Sequence, residues 1–266
     1  MKKLLLALTA AAAFSGSAFA ADLGPHTYSK APAPMMAPVY NWTGFYIFGG
    51  GGAGLWAADS NVQAFPAVVG AASRDQRMGG SGWFGTVGIG YDMQFNGRWV
   101  AGIFADGQFG DIHGSLSDPN IGTEGREKLR TSYAAGARLG YLVAPNVLSY
   151  VNAGYSGSEW SGTTQTLLFA PFPALDTTGS FHRNGFFVGG GVENNLDIFG
   201  ITAPGWFMKT EYRSAFYDRI TLPQTVVPAL GGGPTGTALT FKPWTQTIST
   251  SLVYRFNWGG PVVAKY

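Results

Sequence analysis

The chain contains eight stretches, each about ten to fifteen residues long, in which apolar and polar positions alternate. In the seventh stretch Met208 and Tyr212 fall on one face, whereas Lys209, Glu211 and Arg213 fall on the other. Successive side chains of a β-strand point to opposite faces, so a period of two predicts strands. The stretches are Trp42–Leu55, Gly82–Gln94, Arg98–Gly110, Lys128–Val143, Leu148–Trp160, Phe181–Asn194, Trp206–Tyr217 and Phe241–Phe256.

The length of these stretches distinguishes two kinds of β-protein. Strands of soluble proteins usually have five or six residues, whereas a tilted strand that crosses a membrane needs about 9–11. A soluble sandwich alternates in the same way, so alternation alone leaves both open. Tryptophans near the ends of the stretches favour a membrane barrel, whose aromatic girdles lie at the two interfaces. The predicted girdle consists of Trp42, Trp83, Trp99, Trp160, Trp206 and Trp244.

The connections between the stretches alternate between short and long. A short connection, Phe95–Gly97, contains Asn-Gly, which is a strong hairpin signal. The long connections cover about 56–81, 111–127, 161–180 and 218–240. Long external loops and short periplasmic turns are typical of outer-membrane barrels. The sequence therefore predicts an all-β protein, an eight-stranded antiparallel up-and-down transmembrane β-barrel over residues 41–266, with both termini in the periplasm.

The N-terminal residues resemble an export signal rather than part of the fold. Lys2 and Lys3 precede an apolar run, and the small residues at 18–20 form an A-x-A cleavage site. We expect a signal peptide over residues 1–20, with cleavage between Ala20 and Ala21. Residues 21–40 contain four prolines and are expected to form an extended periplasmic leader.

Composition excludes several classes of protein. Of 266 residues 40 are glycine, aromatic residues make 15%, charged residues only 12%, and the mean hydropathy is +0.06. The chain is too aromatic to be disordered, and without cysteine it has no disulfides or zinc–thiolate site. Loss of Lys2 and Lys3 would leave 15 basic and 15 acidic residues, so nothing favours a nucleic-acid partner.

The few charges on inferred inner faces are the main candidates for function. An eight-stranded barrel is just wide enough for side chains to fill it, and an unpaired buried charge costs several kcal/mol. Two interpretations remain open, a structural plug of salt bridges and a gate in a narrow ion path. The predicted lumen network is Arg138, Glu193, Lys209, Glu211 and Arg213, with Asp92, Asp106 and Arg255 as further candidates; Arg130 is also assigned to this face.

Other motifs do not indicate chemistry. Residues 49–54 and 231–236 fit G-x-G-x-x-G by letter, but no helix follows either, as a dinucleotide site requires. The three histidines are scattered, and no nucleophile–base set or paired carboxylates can be identified. We therefore expect no enzymatic activity, no cofactor and no metal site.

Several segments resemble a known family. They are residues 33–46, Gly136–Tyr141, Gly189–Glu193, Lys209–Arg213 and Leu252–Val263. Together they are similar to the small outer-membrane β-barrel (porin-family) proteins of alphaproteobacteria, in the OmpA-like membrane-domain superfamily.

This resemblance implies a non-enzymatic structural and surface protein of the Gram-negative envelope, in contact with outer-membrane lipid and lipopolysaccharide. It also implies insertion by the barrel-assembly machinery, with Leu252, Tyr254 and Phe256 as the assembly signal and Tyr266 as a competing final aromatic. The alternatives are a small porin-like pore and a surface adhesin that binds an unidentified ligand through its loops.

Overall fold

The structure is a computed structural model that describes residues 40–65, 73–118, 122–167, 174–201 and 203–256. The expected signal peptide, its cleavage site at Ala20 and Ala21, and nearly all of the leader lie outside these residues, as does Tyr266. Within them, no helix has the length and apolar character needed to cross a membrane.

The described residues form one antiparallel sheet. Its strands are β1 Gly44–Ala64, β2 Gln76–Phe95, β3 Trp99–Asp118, β4 Thr123–Ala144, β5 Val147–Trp160, β6 Thr164–Leu167, β7 Asp176–Thr177, β8 Phe181–Asn195, β9 Trp206–Tyr217, β10 Ile220–Val226 and β11 Pro234–Phe256. Two short 3₁₀ segments lie at Leu196–Phe199 and Pro228–Leu230. Eight strands pair in the order β1-β2-β3-β4-β5-β8-β9-β11, and β11 pairs back with β1. The predicted all-β, eight-stranded antiparallel barrel is therefore confirmed.

The register shows how strongly the strands are tilted. Following paired residues once round the ring from Gly44 leads through Asp92, Gly102, Arg138, Asn152, Gly189, Arg213 and Thr247 to Gly54. The ring therefore closes with a stagger of ten residues along β1. At about 3.3 Å per residue and about 4.8 Å per strand, this stagger corresponds to a tilt of roughly 40°.

The two ends of the barrel differ. We call the end where β1 begins and β11 ends the near end, and the opposite end the far end. At the near end β2 turns into β3 through Asn96 and Gly97, whose φ angles of 47° and 70° suit the tight hairpin that the sequence predicts.

Most of the predicted long loops at the far end are strand instead. β1 continues to Ala64, and β3 to Asp118. β6, β7 and β10 extend β5, β8 and β9 after breaks at 161–163, 178–180 and 218–219. The predicted boundaries therefore ended the strands too early, because the extensions are rich in glycine and polar residues.

The two faces of β4 exchange near Arg130. The pairing of β4 shifts between Leu129 and Thr131 relative to β5, which is the mark of a β-bulge. On the near-end side of the bulge, even-numbered residues such as Arg138 face the lumen. On its far-end side, Leu129 is buried and Arg130 is exposed. The sequence-based assignment of Arg130 to the lumen was wrong, because the bulge exchanges the faces and places Leu129 inside instead.

Candidate functional site: the charged lumen

A closed ring of ion pairs fills the near half of the lumen. Arg138, on β4, donates from Nε to Asp92 at 2.9 Å and from Nη1 to Glu193 at 3.1 Å. Arg255, on β11, contacts the same two carboxylates, with Nη2–oxygen distances of 2.8 Å to Asp92 and 2.7 Å to Glu193. All four side chains are almost completely buried, so two acids and two bases neutralise each other.

A second cluster lies beside the first. Arg213 donates to Asp106 through Nη1 at 2.9 Å and Nη2 at 2.6 Å, a fork that joins β9 to β3 across the lumen. Arg213 also donates to Glu211 at 2.8 Å. Lys209 lies 3.8 Å from Glu211 and 3.3 Å above the ring of Phe48. The second cluster is also neutral, with two acids and two bases.

Tyr150 joins the two clusters. Its hydroxyl donates to Glu211 at 2.8 Å, and its ring lies 5.0 Å from the guanidinium of Arg138. The amide of Asn152 adds a donor to Glu211 at 3.0 Å. The structure thus brings together all five residues predicted for the lumen network, and the three further candidates join them. Within the network Glu193 pairs with Arg138 and Glu211 pairs with Arg213.

Aromatic side chains close the near end below these charges. Trp42 is completely buried, with its ring centroid 5.0 Å from that of Phe207. The guanidinium of Arg255 lies 4.5 Å above Trp42, and Nη1 donates to the Trp42 carbonyl at 3.3 Å. Tyr40 packs edge-on against Phe207. Trp42 was predicted to be a girdle residue; the structure corrects this, because residues 40–43 fold into the mouth of the barrel.

An apolar cluster fills the far half of the lumen. The rings of Trp56, Trp160 and Phe241 contact one another with centroid distances of 5.2–5.8 Å. Ile112 and Leu129 are buried in the same cluster. Trp160 is thus a second predicted girdle residue that points inward instead. Trp56 had not been singled out, because it follows the predicted end of the first stretch.

The outer wall is apolar next to the charged half and polar next to the apolar half. On β3, Ile103 and Phe109 are exposed on the outer wall while Asp106 faces inward. Two residues past Phe109, exposed Asp111 accepts from Lys128 of β4 at 3.2 Å, while Ile112 is buried. The outer wall of β3 therefore changes from apolar to polar between Phe109 and Asp111. The segments below this level carry the apolar belt of a membrane-spanning wall.

The remaining predicted girdle residues lie on the outer wall. Trp83 is 77% exposed, Trp99 stacks edge-on against Tyr141, and Trp206 contacts Tyr254. Trp244 is half-buried. The residues predicted for the assembly signal, Leu252, Tyr254 and Phe256, alternate along the outer face of β11 at the near end. A shallow groove of about 320 Å³ runs beside Leu252, Tyr254 and Trp206.

The glycine-rich segments are structural. Gly49 to Gly54 lie within β1, and the second glycine motif forms the turn before β11 and the start of that strand. A Cβ added to Gly50 would lie only 2.1 Å from the carbonyl oxygen of Thr250, so the strands approach too closely for any side chain there. Among the described residues no group of His, Asp and Glu could hold a metal ion.

A barrel with an apolar outer belt, a charged interior and girdle aromatics is a membrane-spanning β-barrel. A sequence model of the outer membrane protein beta-barrel domain family matches residues 6–256, nearly the whole chain. The chain belongs to this family, which is found in the outer membrane. A comparison with curated proteins gives no match.

Several solved structures are similar to this one. OprG from Pseudomonas aeruginosa is 10% identical, with a TM-score of 0.41 over 81% of this chain and 98% of its own. Neisserial surface protein A is 14% identical, with a TM-score of 0.38 over 80% and 98%. The outer membrane protease OmpT from Escherichia coli is 10% identical, with a TM-score of 0.36 over 79% and 97%. At these TM-scores none of them carries an argument about the function of this chain.

Proposed function

We propose that the protein is a closed, non-enzymatic structural and surface barrel of the outer membrane. The observation that carries this proposal is the filling of the lumen at three levels. An aromatic mouth at Trp42, a neutral network of four acids and four bases, and the apolar cluster around Trp160 follow one another from near end to far end. Eight strands leave an interior that side chains can fill.

Conductance of the refolded protein in a planar bilayer tests this proposal. A closed barrel gives no steady openings. Steady openings that disappear or change in size in Arg138→Met or Arg213→Met would overturn it, because they would show that ions pass through the network.

A narrow ion path is the second candidate, and one contact favours it. The separation of 3.8 Å between Lys209 and Glu211 is the loosest ion pair of the network. A Lys209 side chain that moves away from Glu211 would open a route beside Phe48. Openings that are changed by Lys209→Met and unaffected by the outward-facing Lys242→Met would favour this candidate.

The near end is proposed to face the periplasm and the far end the cell exterior. The short Asn96–Gly97 turn lies at the near end and the long strand extensions at the far end, as in outer-membrane barrels. The chain has no cysteine, so single substitutions can be labelled without background. A membrane-impermeant maleimide added to intact cells should label Ala229→Cys, in the far-end turn, and leave Ala144→Cys unlabelled; the reverse result would invert the orientation.

The remaining expectations from the family resemblance belong to the same proposal. They are an alphaproteobacterial, OmpA-like origin, contact with outer-membrane lipid and lipopolysaccharide, and insertion by the barrel-assembly machinery through Leu252, Tyr254 and Phe256. The outward alternation of these three side chains supports their role in assembly. Phe256→Ala should lower the amount of folded protein in the membrane, whereas truncation after residue 260 should not. Loop-deletion binding assays test the adhesin alternative.

A further inference from the structure

Glu127 is a buried acid without a cation. It lies on β4 above the bulge and is 1% exposed. The other buried acids among the described residues, Asp92, Asp106, Glu193 and Glu211, all contact an arginine or a lysine. Glu127 has no ion pair within the described part of the chain. The polarity inversion of the outer wall places it above the membrane-spanning segments.

The partners of Glu127 are hydroxyls and one amide. Oε2 accepts from the hydroxyl of Thr163, and Oε1 accepts from the hydroxyl of Ser161 at 3.4 Å and from the Lys128 amide at 3.1 Å. Ser161 and Thr163 belong to the break that separates β5 from β6. Glu127 therefore joins β4 to the break between β5 and β6.

The two neighbouring breaks, at 161–163 and 178–180, are joined to each other by hydrogen bonds. The Thr163 amide donates to the hydroxyl of Thr178, which lies in the break between β7 and β8, at 3.0 Å. The Thr178 amide returns a hydrogen bond to the Thr163 carbonyl at 2.8 Å. We call the residues 161–163 with Glu127 the seam. Behind the seam lies the apolar cluster that contains Trp160.

Among the described residues, no charged side chain forms an ion pair with Glu127 or shifts its pKa. On β3 it pairs with Gly114, which lies between Ile112 and Leu116, and on the other side Ser161 and Thr163 donate hydrogen bonds to it. Of the nearest titratable groups, Lys128 points outward to Asp111. Asp176 of β7 is held by the amide of Gln224 at 3.1 Å.

We propose that Glu127 is a pH-dependent latch that keeps the seam closed when it is protonated and releases it when it ionises. An ionised carboxylate in this position has no counter-charge, and its three hydrogen-bond donors offset only part of the hydration lost on burial. Ionisation therefore favours the entry of water between β4 and residues 161–163. Opening the seam exposes the apolar cluster to the exterior. The protonated acid keeps its contacts, because the Thr163 hydroxyl can rotate from donor to acceptor.

Burial supports this assignment, since it raises the pKa of the Glu127 carboxyl to about 7. A raised pKa means that the closed seam binds the proton more tightly than the open one. The stabilisation is therefore complete below the ordinary pKa of a glutamate, near 4.3, and is lost as the pH rises through about 7.

Hydrogen–deuterium exchange of the refolded full chain tests the latch. The wild type is compared with Glu127→Gln, which cannot ionise, at the same pH, so that the intrinsic exchange rates cancel. Amides at 161–165 should exchange on the order of 100-fold faster in the wild type than in Glu127→Gln at pH 8.5, and at similar rates at pH 4.5. Peptides from β9, below the seam, should show no difference.

Two variants separate Glu127 from other acids. Glu124→Gln, an exposed acid on the same strand, should retain the pH dependence, and so should Asp176→Asn. Equal exchange in the wild type and Glu127→Gln at pH 8.5 would overturn the proposal. Loss of the pH dependence in Asp176→Asn would also overturn it, because the response would then belong to Asp176.

Discussion

The fork between Arg213 and Asp106 provides the sharpest test of the lumen network. It crosses the lumen from β9 to β3 with contacts of 2.6 and 2.9 Å, and both side chains are more than nine-tenths buried. Within the described residues Asp106 forms its ion pair with Arg213 alone, whereas Arg213 also contacts Glu211. The two single substitutions should therefore have unequal effects.

Arg213→Met leaves the Asp106 carboxylate buried and without a cation. Breaking a buried pair in this way costs about 3–5 kcal/mol of unfolding free energy. Asp106→Asn should cost less, about 1–3 kcal/mol, because Arg213 keeps its bond to Glu211. The loss of unfolding free energy in the double variant should be about 1–3 kcal/mol smaller than the two single losses added together, since no unpaired charge remains at position 106.

The unfolding free energies of the wild type, the two single variants and the double variant are measured by urea unfolding of the refolded barrel in lipid vesicles. Tryptophan fluorescence and circular dichroism follow the transition. A matched control is the exposed pair of Arg77 and Asp59, 3.3 Å apart, whose coupling should stay below about 1 kcal/mol. Losses at Arg213 and Asp106 that add within about 0.5 kcal/mol would refute direct coupling. So would a coupling no larger than that of the control pair.

Two further pairs of variants test the packing. Trp42→Ala should cost about 3–5 kcal/mol in the same unfolding assay, because it empties the near mouth. The loss should exceed that of Trp83→Ala, since the Trp83 side chain is 77% exposed on the outer wall. Equal losses would contradict the buried position of Trp42. Gly50→Ala should lower the folded fraction seen by heat-modified gel mobility, because its Cβ would lie 2.1 Å from a carbonyl oxygen, whereas Gly49→Ala, with nothing closer than 3.9 Å, should fold normally. Normal folding of Gly50→Ala would show that the strands can move apart there.

The strand pattern was predictable where the strands run without irregularity. The lumen positions of Glu193, Lys209 and Glu211 follow from counting every second residue along β8 and β9. Arg130 was assigned to the wrong face because one bulge exchanges the faces of β4, and no residue in its sequence marks the bulge. Glu127 was missed for a related reason, since it fell within a predicted loop that is strand.

The tryptophans show a different limit of prediction from the sequence. A position near the end of a stretch predicts depth in the barrel, but it does not fix the face to which the side chain points. Trp160 shares its face with Ser158 and Asn152, which are buried in the lumen. Counting along β5 would have placed it inside. Trp42 precedes β1, so no strand periodicity applies to it, and only tertiary packing against Phe207 and Arg255 determines its position.

The change in outer-wall polarity along β3 shows features of both kinds of β-protein within one strand. Below Phe109 the outer wall is apolar and the interior holds Asp106, as lipid outside requires. Above Phe109 the outer wall carries Asp111 and the interior holds Ile112, as in a soluble barrel. The outer wall of the same strand therefore satisfies each rule in turn, and an apolar band of this kind is expected to end near the membrane boundary. A charge in the near half of the interior needs a partner of opposite sign, whereas Glu127, in the far half, has no ion pair among the described residues and, as a latch, holds the seam closed only while it is protonated.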